Sequence, residues 1–216
     1  MTEFLRVTEI FHSIQGESTW AGLPCTFVRL TGCPLRCVWC DTEYAFHGGE
    51  KMTLADIIAR VEAIGTRLVE ITGGEPLIHG NAFVLAKQLL ERGYTVLVET
   101  SGAIDVSPLD PRVHKIMDLK APGSGECHRN RWSNLEHLTE NDEIKFVLAH
   151  RRDYEWMRDT IAEHRLNGRV KSVLASCVFG SLSPKDLAAW VLEDHLDVRV
   201  QLQMHKYIWG ADAQGV

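Results

Sequence analysis

An open α/β barrel of parallel strands, a partial (β/α)6 arrangement with some of its helices reduced, is the fold class that this sequence predicts. Three observations lead there. From residue 21 onward, short apolar runs alternate with segments of helical periodicity. The apolar runs are nearly unbroken, the pattern of strands covered on both faces. Glycine-rich or polar motifs then follow four runs in succession, at the carboxyl ends where α/β folds carry their chemistry. A flat doubly wound sheet would share these features, and periodicity alone does not separate the two. The number of runs suits an open six-stranded barrel better than a closed eight-stranded one.

Residues 26–30 read as a strand that runs straight into a cysteine loop. Residues 54–64 place Leu54, Ile57, Ile58, Val61 and Ile64 on one helical face, with Thr53 as N-cap and Gly65 as the stop. A strand over 68–72 ends in Gly73-Gly74, and a helix over 82–92 is stopped by Gly93. Strands follow over 95–100, 115–119 and 144–149; the stretch 121–130 between the last two is the best loop candidate. A helix over 153–164, a strand over 170–175, a helix over 184–193 with Pro184 in its first turn and a strand over 198–203 complete the pattern.

The 216 residues suffice for one domain with an ordinary core, and 45% of them are apolar. A net charge of -6 gives no global basic surface for nucleic acid. The first residues lack the apolar core of a signal peptide, no run approaches the length of a membrane span, and the last residues match no lipidation signal. The expectation is a cytoplasmic protein with reduced thiols, and neither a nucleic-acid nor a membrane partner.

Those thiols matter because Cys33, Cys37 and Cys40 form a C-x3-C-x2-C run with Trp39 just before the last. Three thiolates this close can hold three corners of a cubane iron–sulfur cluster and leave the fourth iron open for chemistry. A closed zinc site, completed by a histidine, is the other reading the spacing allows. Cys25, Cys127 and Cys177 are scattered and read as small buried hydrophobes. Arg29 stands in an apolar strand, where a guanidinium needs a partner; a substrate carboxylate or a structural acid would serve.

The cysteine run followed by Gly73-Gly74-Glu75-Pro76 resembles the radical S-adenosylmethionine (SAM) enzymes. A narrower resemblance spans almost the whole chain. Phe11-His12-Ser13-Ile14-Gln15-Gly16-Glu17, Phe27-Val28-Arg29-Leu30-Thr31-Gly32-Cys33, Trp39-Cys40-Asp41-Thr42, Glu99-Thr100-Ser101-Gly102 and Gln203-Met204-His205-Lys206-Tyr207 are similar to the 7-carboxy-7-deazaguanine synthase family. That resemblance implies conversion of 6-carboxy-5,6,7,8-tetrahydropterin to 7-carboxy-7-deazaguanine with ring contraction and loss of ammonia, on the path to queuosine and other 7-deazapurines. It implies a [4Fe–4S] cluster on Cys33, Cys37 and Cys40, SAM, Mg²⁺ at Thr42, an external one-electron donor and a homodimer.

By the same resemblance, Trp39, Asp41, Gly73, Gly74, Glu75, Gly102 and Lys120 face SAM. Glu75 is the anion for its amino group, and Gly73 and Gly74 permit close backbone approach. Ile14, Gln15, Gly16, Glu17, Arg29, Thr100 and His205, the last in the final strand, face the substrate. No general acid or base is assigned. The reading is of a single radical SAM domain over 1–216 with a short N-terminal substrate-binding segment and a C-terminal extension. A glycyl-radical-enzyme activase shares the cysteine run but usually carries extra cysteine pairs, and a zinc-stabilised binding module is the non-enzymatic alternative. Two departures from the family stand out. The region between Cys40 and Thr53 is short, which leaves little room for a helix after the cysteine loop, and residues 208–212 run past the end of some members.

Overall fold

A computed structural model describes residues 3–216. The chain enters as a long strand β1 (Phe4–Ile14) and returns as β2 (Pro24–Leu30), antiparallel to it. The cysteine loop follows, and then a short β3 (Glu50–Thr53) on the far side of β1. Helix α1 (Leu54–Ile64) starts on Thr53, whose hydroxyl accepts from the Asp56 N–H at 3.1 Å, and ends on Gly65 at φ 85°. Then come β4 (Leu68–Gly73), α2 (Gly80–Glu91), β5 (Thr95–Thr100), β6 (His114–Asp118), β7 (Glu143–Leu148), α3 (Arg151–His164), β8 (Ser172–Cys177), α4 (Pro184–Glu193), β9 (Arg199–Gln201) and a short α5 (Met204–Ile208).

All nine strands form one sheet in the order β3-β1-β2-β4-β5-β6-β7-β8-β9. From β2 to β9 every neighbouring pair is parallel. Among the described residues no ladder joins β3 to β9, so the barrel stays open. The expected helices and parallel strands are present within a few residues. The antiparallel strands β1 and β3, of which β3 is the edge, are additional to the sequence reading. No α-helix joins β5 to β6 or β6 to β7, where 3-10 turns and loop do the work, so the helices are indeed reduced. Among the described residues no helix is long and apolar enough to cross a membrane.

The helices cover the outer face of the sheet. Ile57, Val61, Leu85, Leu89, Tyr154, Met157 and Leu187 pack there against outward residues of the strands such as Val28, Val69, Ile71 and Val98. The inner face is different. Its lower end is a small apolar cluster of Cys25, Phe27, Leu68, Leu97 and Ile116 with Phe11 and Trp20 against it. One or two positions further along each strand the inward side chains turn polar: Arg29, Glu70 and Thr72, Glu99, Asp118, Lys145. The alternation that sends apolar groups outward to the helices sends these inward.

Candidate active site

The strands open at their carboxyl ends onto a cavity of about 580 Å³. Cys33, Cys37 and Cys40 all line it, half-buried and free of disulfides. Their loop is held from three sides. The Gly32 N–H donates to the Ala45 carbonyl at 2.7 Å, and the Val38 N–H donates to the Ser124 carbonyl at 3.0 Å. The Arg36 N–H donates to the Glu126 carboxylate at 2.6 Å. The stretch 121–130, without a role in the sequence reading, is therefore the buttress of the cysteine loop. Among the described residues no three His, Cys, Asp or Glu side chains converge on a single ion. A zinc site gathers its thiolates within about 2.3 Å of one metal. Three thiols around one cavity wall suit a cubane with one open corner instead. Burial pushes all three thiols up, and the charge of Lys120 acts on each in the opposite direction.

Gly74 lies against this loop. A Cβ there would stand 2.6 Å from the Cys33 Cβ and 2.6 Å from the Gly32 carbonyl oxygen. Gly74→Ala is expected to cost about 1–3 kcal/mol through overpacking and to shift Cys33. Thermal melting together with iron content after anaerobic reconstitution checks this; wild-type values for both would refute it.

On the inner floor Lys145 is the hub. It pairs with Glu17 at 3.0 Å, with Glu99 and with Asp118 at 3.5 Å. Burial alone would strip its proton, but Asp118, Glu17 and Glu99 hold it charged, its pKa raised well above the usual lysine value. Burial likewise opposes the charges of Glu17 and Asp118, yet Lys145, with Lys120 beside Asp118, keeps both carboxyls below the usual range. Glu70 goes the other way: burial and the neighbouring Glu99 raise its carboxyl well above the ordinary value.

The remaining wall comes from the two ends of the sheet. Gln15 is buried; its amide donates to Glu70 at 2.7 Å, and its carbonyl oxygen accepts from the Glu17 N–H at 2.5 Å. The Met204 N–H donates to the Gly16 carbonyl at 2.9 Å, and Gln203 donates to Glu17 at 2.9 Å. Gly16 is a glycine because a Cβ there would strike the imidazole of His205. Lys206 pairs with Asp41 at 2.7 Å, and Asp41 accepts from the Thr42 hydroxyl at 3.0 Å.

Residues 27–163 match the radical SAM superfamily. The 7-carboxy-7-deazaguanine synthase of Koribacter versatilis is 47% identical over 98% of this chain and 100% of its own length. That of Chlorobaculum tepidum is 48% identical over 98% and 97%. The chain belongs to the 7-carboxy-7-deazaguanine synthase family of radical SAM enzymes. The crystal structure of QueE from Escherichia coli superposes with a TM-score of 0.75 at 24% identity, covering 94% of this chain and 95% of that one, and so shares its fold.

As a radical SAM protein, the chain brings most of its expected site residues into one cavity: Ile14, Gln15, Gly16, Glu17, Arg29, Trp39, Asp41, Thr42, Gly73, Gly74, Thr100, Lys120 and His205, besides the three cysteines. Several expectations need correction. Glu75 is not on the cavity wall. It is fully buried and accepts from the Leu77 N–H at 2.9 Å, the Thr100 hydroxyl at 2.9 Å, the Ser101 N–H at 2.7 Å and the Ser101 hydroxyl at 2.5 Å. It fixes the end of β5 to the glycine turn, and the Thr100 hydroxyl is spent on it. Gly102 is also buried, with φ 74°; a Cβ there would stand 2.5 Å from the Asp118 carbonyl oxygen, so its role is close packing.

His205 is not in a strand, since β9 stops at Gln201 and His205 belongs to α5. Lys120 is mostly buried and paired with Asp118 at 2.5 Å. Arg29 has a structural partner, Glu9, on its Nε at 2.7 Å, and Glu9 also accepts from the Tyr44 hydroxyl at 2.8 Å. Cys127 is half-exposed in the loop, whereas Cys25 and Cys177 are buried as expected. Residues Ala211, Asp212, Ala213, Gly215 and Val216, to which the sequence assigned nothing, line the cavity. The sequence reading also missed Glu70, Glu99, Asp118 and Lys145. The signal was there: each is a charged residue at an inward position of an apolar strand, the same argument that singled out Arg29.

Proposed function

We propose that this protein converts 6-carboxy-5,6,7,8-tetrahydropterin to 7-carboxy-7-deazaguanine, with ring contraction and loss of ammonia, as a single-domain, cytoplasmic homodimer fed by an external one-electron donor. The observation that carries this reading is a single cavity. It joins a three-cysteine wall to a polar wall built from Gln15, Glu17, Arg29 and His205. Cys33, Cys37 and Cys40 would hold the [4Fe–4S] cluster, and Thr42 beside Asp41 would offer oxygen to Mg²⁺, which takes few protein ligands. When bound, the cluster and SAM would supply the means of abstracting a hydrogen atom from the pterin carbon that bears the carboxylate.

The chain's own residues bind and orient. Arg29 has its Nε on Glu9, which leaves the outer edge of the guanidinium for the substrate carboxylate. Burial lowers the pKa of His205, so it serves as a neutral hydrogen-bonding group. Gln15 and Glu17 present the backbone of their loop to the ring. Leu35, Phe46, Val147 and Phe179 line the cavity between these groups and limit access of solvent.

The test is an anaerobic assay of the reconstituted protein with SAM, reductant, Mg²⁺ and the tetrahydropterin, followed by mass spectrometry. Formation of 7-carboxy-7-deazaguanine, with deuterium from the carboxylate-bearing carbon appearing in 5′-deoxyadenosine, is the expected result. Turnover of SAM without any deazaguanine would reject the substrate.

A further inference from the structure

Glu70 is 1% exposed, sits in the middle of β4 and lines the cavity. Its Oε2 accepts from Gln15 at 2.7 Å. Among the described residues its Oε1 has no hydrogen-bond partner. That oxygen is not among the side-chain atoms sealed from solvent without a partner; it belongs to a residue of the cavity wall, where a donor can enter. Arg29 lies at the other end of the same wall. In the register of β2 against β4, Phe27 pairs with Glu70 and Arg29 with Thr72. Glu70 and Arg29 are thus two residues apart along adjacent strands, about 7 Å. Phe27, stacked on Phe11 at 4.9 Å, forms the surface nearby. A 6-carboxylated pteridine carries its anion and its 2-amino group at opposite ends of a flat bicycle.

We propose that Glu70 is a specificity-determining residue for the heterocycle, its unpartnered oxygen accepting a hydrogen bond from the 2-amino group of a 2-amino-4-oxopteridine. The inference rests on the pterin reading above. It assigns opposite ends of the ligand to opposite charges: the guanidinium of Arg29 takes the carboxylate, and the carboxyl of Glu70 takes the amine. Burial and the neighbouring Glu99 raise the Glu70 carboxyl, while Gln15 and Lys145 act the other way. An N–H donor from the ring would act in the same sense as Gln15 and Lys145.

The test is anaerobic fluorescence titration of the cluster-loaded protein, SAM present, with 6-carboxypterin and with 6-carboxylumazine, which carries an oxygen in place of the 2-amino group. Wild type is expected to bind the pterin about tenfold to a hundredfold more tightly. Glu70→Gln keeps an oxygen for Gln15 and turns an N–H toward the cavity, so it should reverse the order. An unchanged preference in Glu70→Gln, or no preference in wild type, overturns the proposal. Should Glu70→Gln fail to fold, Glu70→Asp withdraws the carboxyl and should weaken pterin binding about tenfold while leaving lumazine binding alone; unchanged pterin affinity would overturn the proposal equally. A wild-type protein that binds neither compound would instead bring down the pterin reading on which it rests.

Discussion

Replacement of Cys37 by Ala is expected to abolish SAM cleavage altogether. Cys37 lines the cavity between Cys33 and Cys40 with no other cysteine beside it to take its place, since Cys25 and Cys177 are buried away from the cavity and Cys127 does not line it. A cubane held at two corners has lost a ligand that no water replaces well. The fold should survive, because Cys37 makes no side-chain hydrogen bond to the rest of the chain and its loop is pinned through Gly32, Arg36 and Val38 instead. The measurement is paired: iron content with the absorbance of the reconstituted protein, and 5′-deoxyadenosine formed under reductant. Loss of both at an unchanged melting temperature is the expected pattern. Retained cleavage would remove Cys37 from the cluster.

The largest effect on stability is expected at Lys145. Lys145→Met leaves Glu17, Glu99 and Asp118 facing one another in a buried space. Removing one partner of a buried ionic group costs about 3–5 kcal/mol, which for a chain of this size lowers the melting temperature by roughly 10 °C. The pH dependence identifies the cause. In wild type, Lys145 holds the Glu17 carboxyl below its usual range, and Lys120 foremost, with Lys145, does the same for the Asp118 carboxyl. Their contribution to stability is therefore present above the ordinary carboxylate pKa and is lost as pH falls through the lowered values. In the variant Asp118 keeps Lys120, but buried Glu17 loses its cation and favours protonation, so stability should rise on acidification from neutral pH. The gap between the two proteins should narrow toward about pH 5. A gap that ignores pH, or a melting temperature within about 2 °C of wild type, would show that Lys145 is not the hub.

The parts of the fold that the sequence made legible are those with local causes. Thr53 and Gly65 bound α1 through a cap and a left-handed stop, and both work from the chain's own neighbours. β1 escaped notice because Thr8, Glu9, His12 and Ser13 interrupt its apolar residues; an antiparallel strand is covered less evenly than a parallel one in mid-sheet. In the site, the cysteines and glycines declared themselves by type and spacing. The partners of charged residues did not, because barrel curvature chooses them. Lys145 meets Glu17 across 128 positions of sequence. Glu75 was assigned outward on chemical grounds, whereas the 3-10 turn Pro76–Ile78 that it caps draws its carboxylate inward. His205 lines the cavity, but not from the expected strand, since nothing in Gln203-Met204-His205 marks where the last strand ends.

The seam between the two ends of the sheet has a consequence for how the enzyme comes into being. Where a closed barrel would have a backbone ladder, this chain has Met204 on Gly16, Gln203 on Glu17, and His205 against the bare α-carbon of Gly16. Those contacts join residues 186 or more positions apart. On the ribosome, the strands that carry the cysteines and the glycine turn can pair long before residues 203–205 have emerged. Metal loading and substrate recognition are thereby separated in time: the nascent chain presents its thiols first, in a half-pipe open to solvent, and gains a chamber fit for radical chemistry only when the last helix docks.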